Sequence, residues 1–299
     1  KSKLILVGSF GRGLAYFIFY VSIIFNSLIG LGIGTFTLGF FVGFFWIPFD
    51  TLIAEKSNKN YRSYAYGKRE SAIGKGLLVG SIMGFLIFSW GFQITDNAFF
   101  IYSPILMFGV ANFVAGILFI LKVDESIKFM DNSIKSNKSP TKENSTVVFS
   151  KPLLIGLIFL LIVLLLSNIN GSLARPFLNI YLLTVIESDP TIVVLAYLPS
   201  GIISMLLAPK LGKAVDKIHP VIGITVSSVF GSIITWFLIN TTNLWIFAIL
   251  LIFDMTFVGT ANLVLINLLS RITLKHRGKI MGLQSFFGSF GCMVGPILG

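Results

Sequence analysis

The chain has 299 residues, of which 55% are hydrophobic, 14% aromatic and only 12% charged, and its mean hydropathy is +0.90. Soluble domains carry about 25% charged residues, so these few charges are too sparse to cover so much apolar side chain in water. The composition excludes an ordinary soluble protein and predicts an integral membrane protein.

Long uncharged segments follow one another along the chain, and they lack the period-two alternation expected of barrel strands. Most have about the 20 residues that a helix needs to cross the hydrocarbon core. We therefore predict an all-α polytopic membrane protein. The predicted spans are 4–25, 31–55, 71–92, 98–121, 152–186, 191–211, 219–239, 244–271 and 280–299.

The net charge of +11 would suit a nucleic-acid-binding protein, but the positions of the charges exclude that class. All but three of the 23 Lys and Arg residues lie in alternate loops or at the span ends beside them, and the other loops have none. This positive-inside distribution predicts a multi-pass protein of the cell membrane with its basic loops in the cytoplasm. The single Cys292 lies in an apolar span, which excludes disulfides and cysteine-based metal sites.

The composition changes between residues 122 and 151, where Lys, Ser and Asn predominate. Such a segment has too little apolar side chain to pack a core and predicts a flexible cytoplasmic linker. It separates an N-terminal half, 1–121, with four spans from a C-terminal half, 152–299, with five. The linker is either a plain tether or a regulatory segment.

One stretch occurs once in each half, at identical internal spacing. Glycines at intervals of four share one face of a helix, where a neighbouring helix can approach closely in lipid. We predict that this face packs helices together and forms the seam between the halves. The first copy contains Arg62, Gly67, Gly76, Gly80 and Gly84, and the second contains Arg277, Gly282, Gly291, Gly295 and Gly299.

The repeat also predicts which spans lack a counterpart. In its register His219 corresponds to Leu4, so the spans 152–186 and 191–211 have no partner in the first half. The span 98–121 likewise has none in the second half. We therefore expect an intact protein of six plus six helices, with the first two helices and the last one missing from this chain.

Three segments resemble motifs of the major facilitator superfamily of secondary transporters. Residues 212–217, Gly-Lys-Ala-Val-Asp-Lys, are similar to the family's Gly-x-x-x-Asp loop motif with its following basic residue. Residues 291–299 are similar to the Gly-x-x-x-Gly-Pro-x-x-Gly pattern of its antiporter-type members, and residues 46–55 also look like this family. The resemblance implies two six-helix bundles related by a pseudo-two-fold axis, which rock around a central site.

Two positions depart from the family's patterns. The second span, 31–55, corresponds to the fourth helix of the intact family fold. There Thr35 stands where the family's motif has an Arg that would serve a proton relay. Ser81 stands where the antiporter pattern would place Pro after Gly80 in the third span. Both departures count against an antiporter.

The resemblance also implies a cytoplasmic gate around the loop after the sixth span. There Asp216 would face the positive N-terminal end of the last span and pair with Arg271 or Arg277 in one conformational state. The alternative is a solvated loop acid among lysines. The predicted gate residues are Gly212, Asp216, Lys217, Arg271 and Arg277.

The fifth span, 152–186, carries a polar stripe on one helical face, made of Asn168, Ser172, Arg175 and Asn179. A polar stripe within the membrane should line a water-filled cavity or contact another helix. The resemblance places this span at the substrate cavity. Arg175 either contacts the substrate or snorkels to the outer surface.

Asp254 lies roughly 15 Å into the eighth span at 1.5 Å per residue, which is close to the bilayer midplane. A carboxylate at that depth should be protonated, paired or exposed to a cavity. We predict that it couples transport to protons and that Lys75 faces the same cavity from the other half. In the alternative, Lys75 snorkels inward and Asp254 makes a structural hydrogen bond.

The sequence lacks a Gly-rich phosphate loop ending in Lys-Ser or Lys-Thr, so direct drive by ATP is not expected, nor is an enzymatic activity. We predict a secondary transporter, with proton-coupled export of an amphipathic or drug-like compound as the first choice. The alternatives are an uptake symporter or uniporter of a small metabolite, and a non-transport sensor or lipid-handling protein. We expect a monomer in the lipid bilayer that binds a small-molecule substrate, with protons as candidate coupling ions and no cofactor, metal or nucleic acid.

Overall fold

The computed structural model describes residues 1–94, 97–123, 151–188, 190–272 and 277–298, and these residues form helices joined by short turns. One long helix corresponds to each predicted span, and a single-turn helix, α4, precedes α5. The helices are α1 (Ser2–Ile24), α2 (Leu28–Lys56), α3 (Arg62–Ile94), α4 (Ala98–Ile101), α5 (Ser103–Lys122), α6 (Lys151–Tyr181), α7 (Pro190–Val215), α8 (Pro220–Asn240), α9 (Leu244–Ile272) and α10 (Arg277–Leu298).

Six stretches among the described residues are long and apolar enough to cross a membrane. Together with the helical fold, they confirm the predicted all-α polytopic membrane protein. They are Ser2–Ile24, Leu28–Lys56, Ser103–Lys122, Ile155–Ile186, Pro220–Asn240 and Leu244–Arg271.

Two helices show features at their ends that the predicted spans do not contain. α3 begins at Arg62, well before the predicted start at residue 71, because its polar first turns are held by contacts described below. α6 continues into the π-helical segment Leu182–Ile186, a local widening of the helix. Residues 124–150 of the predicted linker lie outside the described part of the chain.

The described residues form two compact units. The first contains the residues up to Lys56 and those from Lys75 to Val123, and in it α1 packs against both α2 and α5. Arg12 of α1 places its guanidinium 4.9 Å from the centre of the Phe45 ring and 5.9 Å from that of Trp46. This charge within an apolar span is therefore stabilised by aromatic faces of α2.

The second unit contains Ser57–Gly74 and the described residues from Lys151 onward. Its central helix is α9, which packs mainly against α7 and α8 and also contacts α6 and α10. Two apolar clusters hold these helices together. One consists of Leu178, Leu182, Val193, Leu238, Phe247 and Leu251, and the other of Leu157, Leu161, Leu164, Leu269 and Ile280.

Candidate functional site

Asp216 follows the last turn of α7, and its carboxylate accepts hydrogen bonds from the N-terminus of α3. Oδ1 accepts from the backbone N–H of Ser63 at 2.9 Å, and Oδ2 accepts from that of Tyr64 at 3.0 Å. The first N–H groups of a helix have no partner within it and form the positive end of the helix dipole. The side chain of Asp216 is only 4% exposed, so these charge-assisted bonds are shielded from water.

The helix that faces Asp216 is not the one that the sequence predicted. We expected the carboxylate to lie at the N-terminal end of the last span, α10, and it lies instead at that of α3. The two copies of the repeat place a basic residue and a helix start at equivalent positions. A helix end of the same kind therefore stands at both positions, and helix packing brings Asp216 to the one in α3.

Two glycines permit the close packing of α3 against α7. A Cβ atom added to Gly212 would lie 2.3 Å from the carbonyl oxygen of Ser63, and one added to Gly67 would lie 2.3 Å from that of Ala208. Side chains cannot occupy such positions, so the two backbones touch directly. Because Asp216 lies one turn beyond Gly212, this contact places its carboxylate at the exposed amides of α3.

α9 adds a basic and an amide side chain to the same place. Arg271 Nη2 lies 3.8 Å from Asp216 Oδ1, which is the ion pair that the resemblance implied. The Asn267 amide donates to Asp216 Oδ1 at 3.4 Å and to the hydroxyl of Ser63, and it accepts from Arg271 Nε at 2.7 Å. Three helices of the second unit thus meet at one carboxylate.

A further basic residue, Arg62, joins α3 to α9. It is 4% exposed and donates to the backbone carbonyl oxygen of Ser270 at 3.2 Å. Among the other predicted gate residues, Lys217 is exposed, and the side chain of Arg277 lies outside the described part of the chain.

Sequence reasoning missed Ser63 and Asn267. Asn267 precedes Arg271 by four residues, so the two share a face of α9, and that spacing was the available signal for a common role. Ser63 had no signal, because its backbone amide and small hydroxyl become relevant only when α7 packs against it. We call Ser63, Tyr64, Asp216, Asn267 and Arg271 the α3–α7 gate cluster.

The polar stripe of α6 faces another helix at two of its positions. The Ser172 hydroxyl lies 3.2 Å from the carbonyl oxygen of Gly291, and a Cβ atom added to Gly295 would lie 2.0 Å from Ser172 Oγ. The side chain of Asn168 packs beside Gly291 and donates to the carbonyl oxygen of Leu164 at 2.8 Å. Of the two expected surroundings, a water-filled cavity or another helix, the geometry favours contact with α10 for Asn168 and Ser172. Their role in binding substrate stays a prediction.

The other two stripe residues lie further along α6. The hydroxyl of Tyr197 on α7 donates to Asn179 Oδ1 at 2.5 Å, which joins the two helices. The side chain of Arg175 is not among those that the structure describes. Whether it contacts a substrate or snorkels therefore stays a prediction.

Both copies of the repeat contain glycines that pack helices. Gly67 of the first copy meets α7 of the C-terminal half, as the predicted seam requires, whereas Gly80, Gly291 and Gly295 meet helices of their own halves. Gly291 and Gly295 of α10 contact α6, which belongs to the same half, because Asn168 and Ser172 fit over them. In the first copy, a Cβ atom added to Gly80 would lie 3.1 Å from the ring of Phe108. For Gly76 and Gly282 no described atom lies within 4 Å of an added Cβ. The surroundings of Gly84 and Pro296, and Gly299 itself, lie outside the described structure.

Asp254 is half-buried in α9 and accepts a hydrogen bond from Thr235 of α8, with 3.1 Å between Thr235 Oγ1 and Asp254 Oδ1. The same hydroxyl lies 2.9 Å from the carbonyl oxygen of Gly231. This bond fits the structural alternative for Asp254 and is equally available to a carboxylate that gains and loses a proton. Lys75 is exposed and belongs to the first unit, and its pairing with Asp254 stays a prediction.

Comparison with known proteins gives two findings. The family profile described as Major Facilitator Superfamily matches residues 1–296. A curated relative from Lactococcus lactis subsp. lactis (strain IL1403), described as a multi-drug resistance efflux pump PmrA homolog, is 28% identical over 276 residues. The matched region covers 88% of this chain and 62% of the relative, so the chain spans less than two thirds of that relative's length.

Proposed function

The chain belongs to the major facilitator superfamily, and on that premise we propose that it exports an amphipathic or drug-like compound across the cell membrane in exchange for protons. The members of this family are transporters and not enzymes, so membership confirms the coarser prediction of a multi-pass membrane protein from a transporter family. Export is supported by the relative described as an efflux pump. The substrate, the proton and the direction of transport belong to the proposal.

The observation that carries the proposal is the α3–α7 gate cluster. Its bonds join helix ends through one carboxylate, two backbone amides and two side chains of α9. A charge at a helix terminus contributes typically about 0.3–1 kcal/mol and up to about 2 kcal/mol when partly buried. Such a contact is strong enough to favour one state of a rocking transporter and weak enough to open during each cycle.

Proton coupling is assigned to Asp254. A carboxylate near the midplane of a membrane helix is costly when ionised, so its protonation changes the free energy of the surrounding helices. Thr235 can donate to the ionised carboxylate and accept from the protonated one, because a hydroxyl does both. Asp254 therefore keeps a hydrogen-bonding partner in both protonation states.

The transporter is proposed to work as a monomer with its basic loops in the cytoplasm. The confinement of Lys and Arg to alternate loops supports this orientation. In such an orientation the gate cluster closes the cytoplasmic side, since Lys217 and the other loop lysines flank it.

The test is Asp254→Asn in the intact protein, reconstituted in vesicles with an imposed pH gradient. We expect substrate flux driven by the gradient to fall at least tenfold, or about 1.4 kcal/mol, because the amide does not titrate. Glu70→Gln is the matched control: it neutralises an exposed carboxylate of α3 that pairs with Arg69, and it should leave the flux unchanged.

Each other outcome selects an alternative. Full gradient-driven flux in Asp254→Asn refutes the coupling role of this residue. Wild-type flux that ignores the pH gradient indicates a uniporter, and inward proton-driven flux indicates an uptake symporter. Absence of flux for a broad panel of lipophilic cations and small metabolites favours the sensor or lipid-handling class.

A further inference from the structure

We infer that Asn267 is a positioning residue of the gate, a buried amide that orients Asp216 and Arg271 toward each other and thereby ties α9 to the contact between α3 and α7. The inference rests on the proposed gate function of Asp216. It concerns a residue that touches neither the substrate nor the proton.

The position of Asn267 is set by three hydrogen bonds. The residue is 4% exposed, and its Nδ2 donates to the Ser63 hydroxyl and, at 3.4 Å, to Asp216 Oδ1. Its Oδ1 accepts from Arg271 Nε at 2.7 Å. Every hydrogen-bonding direction of the amide except one lone pair is therefore used within the cluster.

The neighbours also determine which way the amide points. Arg271 Nε can only donate and the Asp216 carboxylate, when ionised, can only accept. The amide oxygen must therefore face Arg271, and the amide nitrogen must face Asp216. Only with this orientation does Asn267 satisfy both charged groups at once, and it holds Arg271 Nη2 3.8 Å from Asp216 Oδ1.

The same geometry explains why the side chain at position 267 must be uncharged and polar. An Asp there would place a second carboxylate oxygen about where Nδ2 now lies, 3.4 Å from Asp216 Oδ1. Two carboxylates at that distance repel each other strongly in a site sheltered from water. A Leu would remove the acceptor of Arg271 Nε and the donor to Ser63, while filling a similar volume.

The position in the fold gives the amide its wider role. α9 is one continuous helix, Leu244–Ile272, and it carries both Asn267 at the gate and Asp254, which bonds to Thr235 of α8. A shift of α9 that follows a change at Asp254 reaches the gate through Asn267 and Arg271. The amide is thus the uncharged link between the proposed coupling helix and the end of α3.

The experiment uses the intact protein and measures the flux of a lipophilic cationic dye into vesicles, and its dependence on dye concentration. The variants are Asn267→Asp, Asn267→Leu and the exchanged pair Asn267→Asp with Asp216→Asn. We expect each single change at Asn267 to lower the maximal flux about tenfold with an unchanged KM, because the residue does not touch the substrate. The exchanged pair returns one carboxylate and one amide to the cluster, and we expect at least threefold more flux than Asn267→Asp retains.

Thr260→Val is the matched control on the same helix. Its hydroxyl donates only to the carbonyl oxygen of Thr256 among the described residues, at 2.7 Å, and the change should leave the maximal flux and KM as in the wild type. Melting temperatures in detergent identify the variants that fold. If Asn267→Asp does not fold, Asn267→Leu is scored in its place against Asp216→Asn and the Asn267→Leu/Asp216→Asn double variant.

The outcomes separate this inference from the proposed function. Wild-type flux in a folded Asn267 variant, or an exchanged pair no better than Asn267→Asp, overturns the positioning role. The double variant Asn267→Leu/Asp216→Asn gives a second criterion. If its loss of flux equals the product of the two single losses, the positioning role of Asn267 is overturned. If its flux is no lower than that of the poorer single variant, the positioning role is supported. Wild-type flux in Asp216→Asn overturns the gate itself, whereas an impaired Asp216→Asn beside active Asn267 variants overturns only the inference about Asn267.

Discussion

Two helix contacts in the second unit use glycine in the same way and differ in what surrounds it. α3 meets α7 at Gly67 and Gly212, and α6 meets α10 at Gly291 and Gly295. At all four positions an added Cβ would lie less than 3.0 Å from the facing helix, so each contact depends on the missing side chain.

The two contacts differ in where their stability resides. Beside the glycines of α3 and α7 lie charged and amide groups at helix ends, in the α3–α7 gate cluster. Beside those of α6 and α10 lie a hydroxyl bonded to backbone carbonyls and a buried apolar cluster that includes Leu161 and Ile280. Bonds at helix ends are lost and remade by a small displacement, while a packed apolar surface resists separation. With the proposed gate role of Asp216, the comparison predicts that the α3–α7 contact opens during transport and that the α6–α10 contact persists.

The largest effect on transport is expected from Gly212→Ala. The added Cβ would lie 2.3 Å from the carbonyl oxygen of Ser63, so α7 must move away from α3 and Asp216 must leave its amides. We expect more than a tenfold loss of substrate flux, together with a destabilisation of about 1–3 kcal/mol from overpacking. Flux in vesicles and melting in detergent measure the two quantities.

Gly201→Ala is the control for this change, since it lies in α7 with no described atom within 4 Å of its added Cβ. It should keep wild-type flux. Equal flux in Gly212→Ala and Gly201→Ala would show that close contact of α3 with α7 is not needed for transport.

A smaller loss is expected from Asp216→Asn. The amide can still accept one backbone N–H bond, but it loses the charge that pairs with Arg271 and with the dipole of α3. We expect about a tenfold drop in flux, or about 1.4 kcal/mol, with little change in melting temperature. A large fall in melting temperature at normal specific flux would instead mark the cluster as a permanent contact like that of α6 with α10.

The smallest effect on transport is expected from Gly295→Ala, which should lower stability instead. The added Cβ would lie 2.0 Å from Ser172 Oγ and 2.7 Å from the carbonyl oxygen of Ile169, so α10 must shift within a packed contact. We expect a destabilisation of about 1–3 kcal/mol and a flux per folded molecule within about twofold of the wild type.

Ser172→Ala should recover part of the stability that Gly295→Ala loses, because it removes one of the two clashing atoms. Gly282→Ala on the same helix meets no described atom within 4 Å and should be neutral or stabilising by about 0.5–1 kcal/mol. A loss of flux in Gly295→Ala as large as that in Gly212→Ala would erase the distinction between the two contacts.

The sequence by itself determined the fold class and the resemblance to a transporter family, and that resemblance implied a pairing of Asp216 with Arg271 or Arg277. These follow from local features: apolar length predicts membrane spans, and short spaced motifs mark the end of α7 and the loop before α8. The Lys and Arg distribution predicts the orientation. The shared helix face of the repeated glycines was also predictable, because their spacing alone puts them on one side of a helix.

Only the tertiary structure decided which surfaces those features meet. It placed Asp216 at α3 and not at α10, turned Asn168 and Ser172 toward the glycines of α10, and brought Asn267 into the cluster. The physical reason is that a helical face, a helix end or a buried amide does not encode its partner. Partners are chosen by the simultaneous packing of several helices, in which a missing Cβ at Gly212 decides where a carboxylate four residues later can lie.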